Sequence, residues 1–281
     1  MRQLYIIGIG AGNLEQVTVE AVTALNKVDV FFVADKGPGK DDLVALRAQI
    51  CRRYIPDRPY RIVEIDDPER GKVGDAGSYD TVVQDWHHRR AARYEETMVA
   101  ELGANENPGF LVWGDPALYD STIRVVELLK ARRTLDFEFS VIPGISSVQA
   151  LAAAHRIVLN RIGEPIHITT GRRLRQGMPV GLDNVVVMLD GDLVCRTFTE
   201  PGLEIFWGAY LGTPDEMLVT GPLSEVIGSI ERLRAEARAR KGWIMDTYLL
   251  RRSPSADSQR PGVDSSGAGR RPLDRDNGFA S

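Results

Sequence analysis

The sequence is poor in the residues that form disulfide frameworks and metal sites. Among 281 residues there are two cysteines and four histidines. Cys51 and Cys195 are far apart and form no C-x-x-C pair, so we expect two free thiols and no metal. His87 and His88 are neighbours on a predicted helix, where adjacent side chains point in different directions. They are therefore not expected to act as a pair of metal ligands.

The sequence also lacks a strong excess of one charge and any long apolar run. Its 35 basic and 39 acidic side chains give a formal net charge of -4, which offers no general attraction for nucleic acid. No apolar run approaches the ~20 residues that a membrane span requires, and the N-terminus lacks the pattern of a signal peptide. We therefore expect a cytoplasmic protein that binds neither nucleic acid nor membranes.

The hydrophobic residues that are present, 43% of the chain, are enough for a sizeable core. Between residues 4 and 155, short β-branched runs alternate with longer helical patterns. This alternation is typical of an open parallel α/β sheet with helices on both faces. The predicted strands are residues 4–9, 28–34, 60–65, 109–113 and 137–142. The predicted helices are residues 18–26, 41–54, 79–102, 121–133 and 146–155.

The pattern changes near residue 160. Strands are predicted at residues 166–170, 185–189, 205–210 and 217–220, followed by a long helix over 223–241 and a closing strand over 243–250. We expect an N-terminal α/β domain over residues 1–159 and a C-terminal mixed α+β domain over residues 160–252. Residues 253–281 are dominated by Ser, Gly, Pro, Asp and Arg, and we predict a disordered tail without a catalytic role.

A glycine-rich stretch, IIGIGAGNLEQVT, opens the chain at residues 6–18. Gly8 and Gly10 match the start of a dinucleotide-binding turn, but Asn13 stands where its third glycine is required. The next predicted helix N-cap is Thr18, which is too far along the chain for the helix N-terminus to face a pyrophosphate. Asp35, after the second predicted strand, would suit a ribose hydroxyl. A dinucleotide, another ligand and a turn without a ligand all remain possible at this stage.

Two more segments resemble ligand loops. WGDPALYDST at residues 113–122 and IPGISSVQA at residues 142–150 each follow a predicted strand and precede a predicted helix. Open parallel sheets bind their ligands at this position. We therefore expect the three loops to meet at one edge of the sheet. A nicotinamide-dependent dehydrogenase would explain only the first of them.

With these loops the sequence resembles the tetrapyrrole (corrin and porphyrin) methyltransferases, which use S-adenosylmethionine. The motifs that carry the resemblance are Gly8, Gly10 and Gly12 with Val17-Thr18, then Gly114-Asp115-Pro116, then Pro143-Gly144-Ile145-Ser146-Ser147. They occur in the family's order, and the resemblance spans about residues 3–250. The departures are Ala11 for the usual proline, Asn13 for the usual aspartate and Trp113 for the first glycine of Gly-Gly-Asp-Pro.

The segments WGDPALYDST, NRIGEPIHITTGRR, FWGAYLGTPDE and KGWIMDTYLLRR resemble one branch of this family. Its members methylate C-1 of precorrin-5 and release acetate in aerobic cobalamin biosynthesis. The resemblance implies precorrin-5 as substrate, S-adenosylhomocysteine as the second product, and a homodimer. The alternatives are a different precorrin as substrate, the methylation of protein or RNA, and a domain that binds a ligand without turnover.

The family places its cofactor in the cleft between the domains and recognises it largely through main-chain groups. By motif position, the residues expected to contact S-adenosylmethionine are Gly10, Gly12, Gly114, Asp115, Ser146, Ser147, Met188, Ala209, Tyr210 and Leu211. Methyl transfer from a sulfonium to carbon requires orientation and the exclusion of water. It requires no nucleophilic serine or cysteine, and we expect Cys51 and Cys195 to be inert packing residues.

Removal of an acetyl group is a different step, because water must attack a carbonyl with the help of a base or a polarising group. The catalytic candidates are Asp115, Tyr119 and Asp120. Asp115 could instead be a turn carboxylate that accepts hydrogen bonds from nearby amides. Asp120 precedes a predicted helix, so capping is the favoured interpretation of that residue.

The implied substrate carries acetate and propionate side chains, which arginines recognise by paired, charge-assisted hydrogen bonds. Arg172 and Arg173 are expected in a loop after a second-domain strand and are the candidate substrate-binding residues. Arg89, Arg90 and Arg93 on the long predicted helix are interpreted as part of a solvated face.

Overall fold

Two five-stranded sheets make up the part of the chain that the computed structural model describes, which is residues 2–35, 41–69, 71 and 79–252. The predicted tail, residues 253–281, lies outside these residues, and the side chain of Asp35 is likewise not described. The first sheet uses residues up to Ile142 and the second begins at His167. The boundary predicted near residue 160 falls between them and stays a prediction.

The first sheet is parallel throughout, with strand order β3-β2-β4-β1-β5. Its strands are β1 (Arg2–Gly8), β2 (Val30–Asp35), β3 (Arg61–Asp66), β4 (Pro108–Val112) and β5 (Phe137–Ile142). Its helices are α1 (Val19–Leu25), α2 (Asp41–Tyr54), α3 (Tyr79–Glu101), α4 (Thr122–Arg132) and α5 (Ser147–His155). Every residue of the central strand β4 is buried, because helices cover both faces of the sheet.

The second sheet is mixed, with strand order β6-β7-β10-β8-β9 and one parallel pair, β6 with β7. Its elements are β6 (His167–Thr170), α6 (Gly171–Leu174), β7 (Asn184–Met188), β8 (Leu203–Ala209), β9 (Met217–Pro222), α7 (Leu223–Lys241) and β10 (Asp246–Arg252). The expected α/β class and the two-sheet architecture are confirmed.

An apolar cluster joins the two sheets. It combines Ala11 after β1 and Leu151 of α5 with Val186 of β7, Phe206 of β8 and Leu249 of β10. All five side chains are buried. Because the cluster includes the segment after β1 as well as α5, it fixes the carboxyl edge of the first sheet against the second sheet.

Two details of the sequence interpretation are wrong. Arg172 and Arg173 do not lie in a loop but on the one-turn helix α6, which continues directly from β6. Arg90 is not part of a solvated face: it is 6% exposed and pairs with Asp67 at 2.6 Å. Its ion-pair partner Asp67 lies outside α3, so helical periodicity alone could not reveal its burial. Arg89 and Arg93 are exposed, as expected.

The described residues contain no helix that is both long and apolar enough to cross a lipid bilayer. Within the same residues, no three His, Cys, Asp or Glu side chains gather as ligands for a metal ion.

Candidate functional site

The loops after β1 and β4 lie side by side at the carboxyl edge of the first sheet. We name them loop A (residues 9–18) and loop B (residues 113–121). Gly10 and Gly114 exchange two main-chain hydrogen bonds, of 3.3 Å from the Gly10 amide and 2.8 Å from the Gly114 amide. Both glycines have a positive φ, 83° and 69°, a conformation that costs other residues energy. The bridge therefore depends on glycine at these positions.

Loop C (residues 143–146), which follows β5, completes the edge. A Cβ at Gly144 would lie 2.2 Å from the Gly114 carbonyl oxygen, and a Cβ at Gly8 would lie 2.6 Å from the Gly144 nitrogen. These backbones are in contact, and no side chain fits between them. The prediction that the three loops converge is confirmed.

The side chain of Asp115 links loop B to loop C by hydrogen bonds. Its Oδ2 accepts a hydrogen bond of 2.9 Å from the Gly144 amide, and its Oδ1 accepts one of 2.8 Å from the Ala117 amide. Both carboxylate oxygens are thus engaged by main-chain donors. This is the turn-carboxylate arrangement considered from the sequence, and it gives Asp115 a positioning role in the loops.

The second sheet contributes loop E (residues 210–216), which follows β8 and contacts loop A. A Cβ at Gly12 would lie 2.7 Å from the Leu211 carbonyl oxygen, and one at Gly212 would lie 2.9 Å from the Asn13 nitrogen. Gly12 has a φ of 149°. Glycine at position 12 therefore allows the close contact between loop A and loop E. The residue's role toward a ligand stays a prediction.

Ser146 and Ser147 begin α5 at the same edge. The Ser146 side chain accepts a hydrogen bond from the Val148 amide, and Gln149 bonds back to the Ser146 amide, which forms a capping box. Ser147 is hydrogen-bonded through its Oγ to Oγ1 of Thr247 on β10, at 3.0 Å. Ser147 therefore sits where the two domains meet. Thr247 was missed from the sequence, because its pairing depends on the packing of β10 beneath α5.

Tyr119 and Asp120 close loop B. Tyr119 is 44% exposed and has a φ of 54°, unusual for a residue other than glycine. Its hydroxyl donates to the Ile168 carbonyl oxygen on β6 at 3.1 Å, so it reaches across to the second domain. Asp120 Oδ1 accepts a hydrogen bond of 2.6 Å from the Thr122 amide. The N-cap residue of α4 is Ser121, so Asp120 stands one position before the cap and binds the first amide of the helix.

The four residues of the second domain that are predicted to contact the cofactor differ in their burial and orientation. Met188 ends β7 and is partly buried beside the apolar cluster between the sheets. Ala209 ends β8 and is fully buried. Tyr210 has a φ of 49°, and its hydroxyl donates to the Trp243 carbonyl oxygen at 2.6 Å. The Tyr210 side chain therefore packs into the second domain. Leu211 is buried, and its carbonyl oxygen is the atom nearest Gly12 from the main chain.

The one-turn helix α6 carries Arg172 and Arg173, both exposed. The Arg172 guanidinium lies over the ring of Tyr79, 3.5 Å from its centroid. Tyr79 begins α3, which follows β3 of the first sheet. Arg172 of the second domain therefore contacts the first domain, and Tyr119 of the first domain contacts the second.

The remaining candidates are structural. Burial raises the pKa of both the Cys51 and the Cys195 thiol to about 12, so neither is a nucleophile at neutral pH.

Helix α1 begins only at Val19, with Thr18 as its N-cap, and a short 3-10 turn separates it from Gly12. A dehydrogenase would need a helix directly after Gly12, so this alternative is contradicted.

Comparison with known proteins agrees with this geometry. The family model of the Tetrapyrrole (Corrin/Porphyrin) Methylases matches residues 3–227, and the chain belongs to this family.

Among individual relatives, the chain is 50% identical to the precorrin-6A synthase [deacetylating] of Sinorhizobium sp, over 92% of this chain and 98% of the relative. A cobalamin synthesis related protein (CobF) from Corynebacterium diphtheriae has a solved structure with a TM-score of 0.75 and 38% identity. It is matched over 90% of this chain and 99% of its own.

The uroporphyrin-III C-methyl transferase of Thermus thermophilus, solved with S-adenosyl homocysteine, has a TM-score of 0.51 at 17% identity, over 88% of this chain and 96% of its own. This likeness shows a common fold.

Proposed function

We propose that this protein is a precorrin-6A synthase, an S-adenosylmethionine-dependent C-methyltransferase of aerobic cobalamin biosynthesis. It methylates C-1 of precorrin-5 and releases the acetyl group as acetate. The observation that carries the proposal is the 50% identity to the Sinorhizobium enzyme, which extends over 98% of that relative. The match includes both domains, so it covers the whole cleft between them.

The residues of the cleft fit a methyl donor that is recognised through main-chain groups. The proposed contacts are Gly10, Gly12, Gly114, Asp115, Ser146, Ser147, Met188, Ala209, Tyr210 and Leu211. When bound, S-adenosylmethionine supplies the methyl group, and S-adenosylhomocysteine remains. Gly114 supports this fit: its φ is 69°, and the nearest atom to a Cβ there would be 3.6 Å away. A backbone edge free of side chains is what a closely approaching ligand needs.

For methyl transfer, the protein's main tasks are orientation and the exclusion of water. Asp115 holds loops B and C together, and the apolar cluster between the sheets holds the two halves of the cleft in place. Since a sulfonium is displaced without a proton, no residue of the cleft needs to act as an acid in this step. With the donor bound, these residues would hold its methyl group against C-1, and an electron pair of the ring would form the new bond as the sulfur leaves.

For release of the acetyl group, water adds to its carbonyl carbon, and the carbon–carbon bond to the ring then breaks. The electron pair of that bond stays on the ring, acetate leaves, and the protons of the water pass to solvent or to the ring. Of the three candidates, Asp115 and Asp120 both accept main-chain hydrogen bonds, whereas the Tyr119 side chain is exposed and its hydroxyl donates to the Ile168 carbonyl oxygen of the second domain. Burial raises the pKa of Tyr119, so its phenol is protonated at neutral pH. We propose that the Tyr119 hydroxyl gives up its hydrogen bond to the Ile168 carbonyl oxygen when the substrate binds, and donates instead to the acetyl carbonyl oxygen.

Arg172 and Arg173 are proposed to bind carboxylates of the ring. Their side chains are exposed on α6, and Arg172 already extends toward the first domain. A planar guanidinium forms two parallel hydrogen bonds to a carboxylate. A homodimer and a cytoplasmic location also belong to the proposal.

The proposal is tested by incubating the protein with precorrin-5 and methyl-labelled S-adenosylmethionine, followed by mass measurement. The expected product has gained one methyl group and lost one acetyl group. A product that keeps its acetyl group would exclude the specific reaction. Methylation of a different precorrin and not of precorrin-5 would favour another member of the family. Binding without release of S-adenosylhomocysteine would favour a domain without turnover.

A further inference from the structure

A buried carboxylate, Asp190, lies just behind the proposed cleft. It follows the strand β7 that ends in Met188, and it is 4% exposed. Its Oδ2 accepts hydrogen bonds from the Tyr248 hydroxyl at 2.5 Å and from the Val194 amide at 2.7 Å, and its Oδ1 accepts one from the Asp192 amide at 3.2 Å. Three hydrogen bonds from separate donors therefore hold the Asp190 carboxylate in one position.

The same residue shapes loop D (residues 189–193). Leu189 and Leu193 at its ends have positive φ values of 53° and 54°, which is strained for leucine. The Asp190 side chain bonds to amides within and just after this loop, and Arg234 of α7 donates to the Asp190 carbonyl oxygen at 2.8 Å. The strained loop is kept in place by these bonds, and with it the end of β7 that carries Met188.

The carboxylate also sets the position of α6. Gly171 begins this helix and is buried against Asp190: a Cβ at Gly171 would lie 2.4 Å from the Asp190 Cγ. Helix α6 has only one turn, and Arg172 follows Gly171 directly. Any displacement of Gly171 from Asp190 therefore moves Arg172 and Arg173.

We propose that Asp190 is a positioning residue that fixes both the methyl-donor side of the cleft, through Met188 and loop D, and the ring-binding side, through Gly171 and the two arginines of α6. This inference rests on the proposed function. It goes beyond that function by assigning a residue that touches neither ligand. The signal in the sequence is weak: an acidic residue two positions after the strand VVVM.

The test uses Gly171→Ala and a matched control, Gly191→Ala. Both add one methyl group next to Asp190, but a Cβ at Gly191 would have no atom within 4 Å apart from its two chain neighbours. In Gly171→Ala, α6 must move because Asp190 cannot. We expect the KM for precorrin-5 to rise about tenfold or more, while the Kd for S-adenosylhomocysteine stays within about twofold. Gly191→Ala should leave both quantities within about twofold of the wild type.

A second pair of variants tests the other half of the proposal. Asp190→Ala removes all three accepted hydrogen bonds, so both the precorrin-5 KM and the S-adenosylhomocysteine Kd should rise. Asp190→Asn keeps the volume and can keep the two hydrogen bonds of Oδ2, but its NH₂ group then faces the Asp192 amide, so it should restore both only in part. Equal effects of Gly171→Ala and Gly191→Ala, or a normal Kd in Asp190→Ala, would overturn the inference. If the wild type does not methylate precorrin-5 in the same assay, the proposed function itself fails.

Discussion

Replacing Asp115 by asparagine tests whether this carboxylate holds the loops or acts as the base. The two side chains have the same shape, but asparagine has a single acceptor oxygen. In the protein, the two Asp115 oxygens accept from the amides of Gly144 and Ala117, at 2.9 and 2.8 Å. In Asp115→Asn, one of these amides must face the side-chain NH₂ group, which is itself a donor.

The size of the effect follows from that lost partner. A main-chain donor without an acceptor costs about 1–3 kcal/mol when it is shielded from water. If this cost falls on the joined form of loops B and C, the affinity for S-adenosylhomocysteine drops by about fivefold to about 150-fold. Methyl transfer and acetate release should fall together, because both need the same closed arrangement of loops.

Calorimetric binding of S-adenosylhomocysteine and mass analysis of the precorrin-5 product provide the two measurements. Asp120→Asn is the matched control: Asp120 is in the same loop, and only its Oδ1 bonds to a main-chain amide, that of Thr122, so asparagine can keep this bond. It should bind the cofactor product nearly normally. An Asp115→Asn protein with normal affinity that methylates precorrin-5 but leaves the acetyl group in place would refute the positioning role and identify Asp115 as the base.

Three further outcomes are expected. Arg90→Ala should lower the free energy of unfolding by about 3–5 kcal/mol, because it leaves the Asp67 carboxylate, which is largely shielded from water, without its partner. Arg89→Ala removes an exposed ion pair and should cost less than about 1 kcal/mol. Equal urea midpoints of the two variants would contradict this expectation. Cys51 and Cys195, whose pKa values are raised by burial to about 12, should resist a thiol reagent from pH 7 to 9 in the folded protein and react on unfolding; rapid labelling of the native protein would be the contrary result. Tyr119→Phe should methylate precorrin-5 but release acetate about a hundredfold more slowly, and unchanged acetate release would remove Tyr119 from that step.

Much of the first domain could be predicted from the sequence because each strand is a short β-branched run between helical patterns. The convergence of the three loops was also predictable, since the carboxyl ends of parallel strands meet at one edge. The contact of Gly144 with Gly114 and Gly8 explains why glycine recurs in three distant segments. The resemblance to a known family added the cofactor and substrate, which periodicity could not supply.

The second domain was less predictable because its strands pair over long distances in the sequence. Strand β10 lies in the middle of its sheet, between β7 and β8, although it is the last strand of the described residues. The orientation of Tyr210 depends on its left-handed backbone conformation, which could not be predicted from the residue types in this segment. Asp190 was missed for a similar reason: its donors, Tyr248 and Val194, come from separate elements.

The most direct test is the crystal structure of the protein with S-adenosylhomocysteine. The predicted result is one molecule in the cleft between the sheets, in contact with the main chain near Gly114 and Ser147 and with loop E. Binding of S-adenosylhomocysteine away from the carboxyl edge of the first sheet would contradict the proposed site.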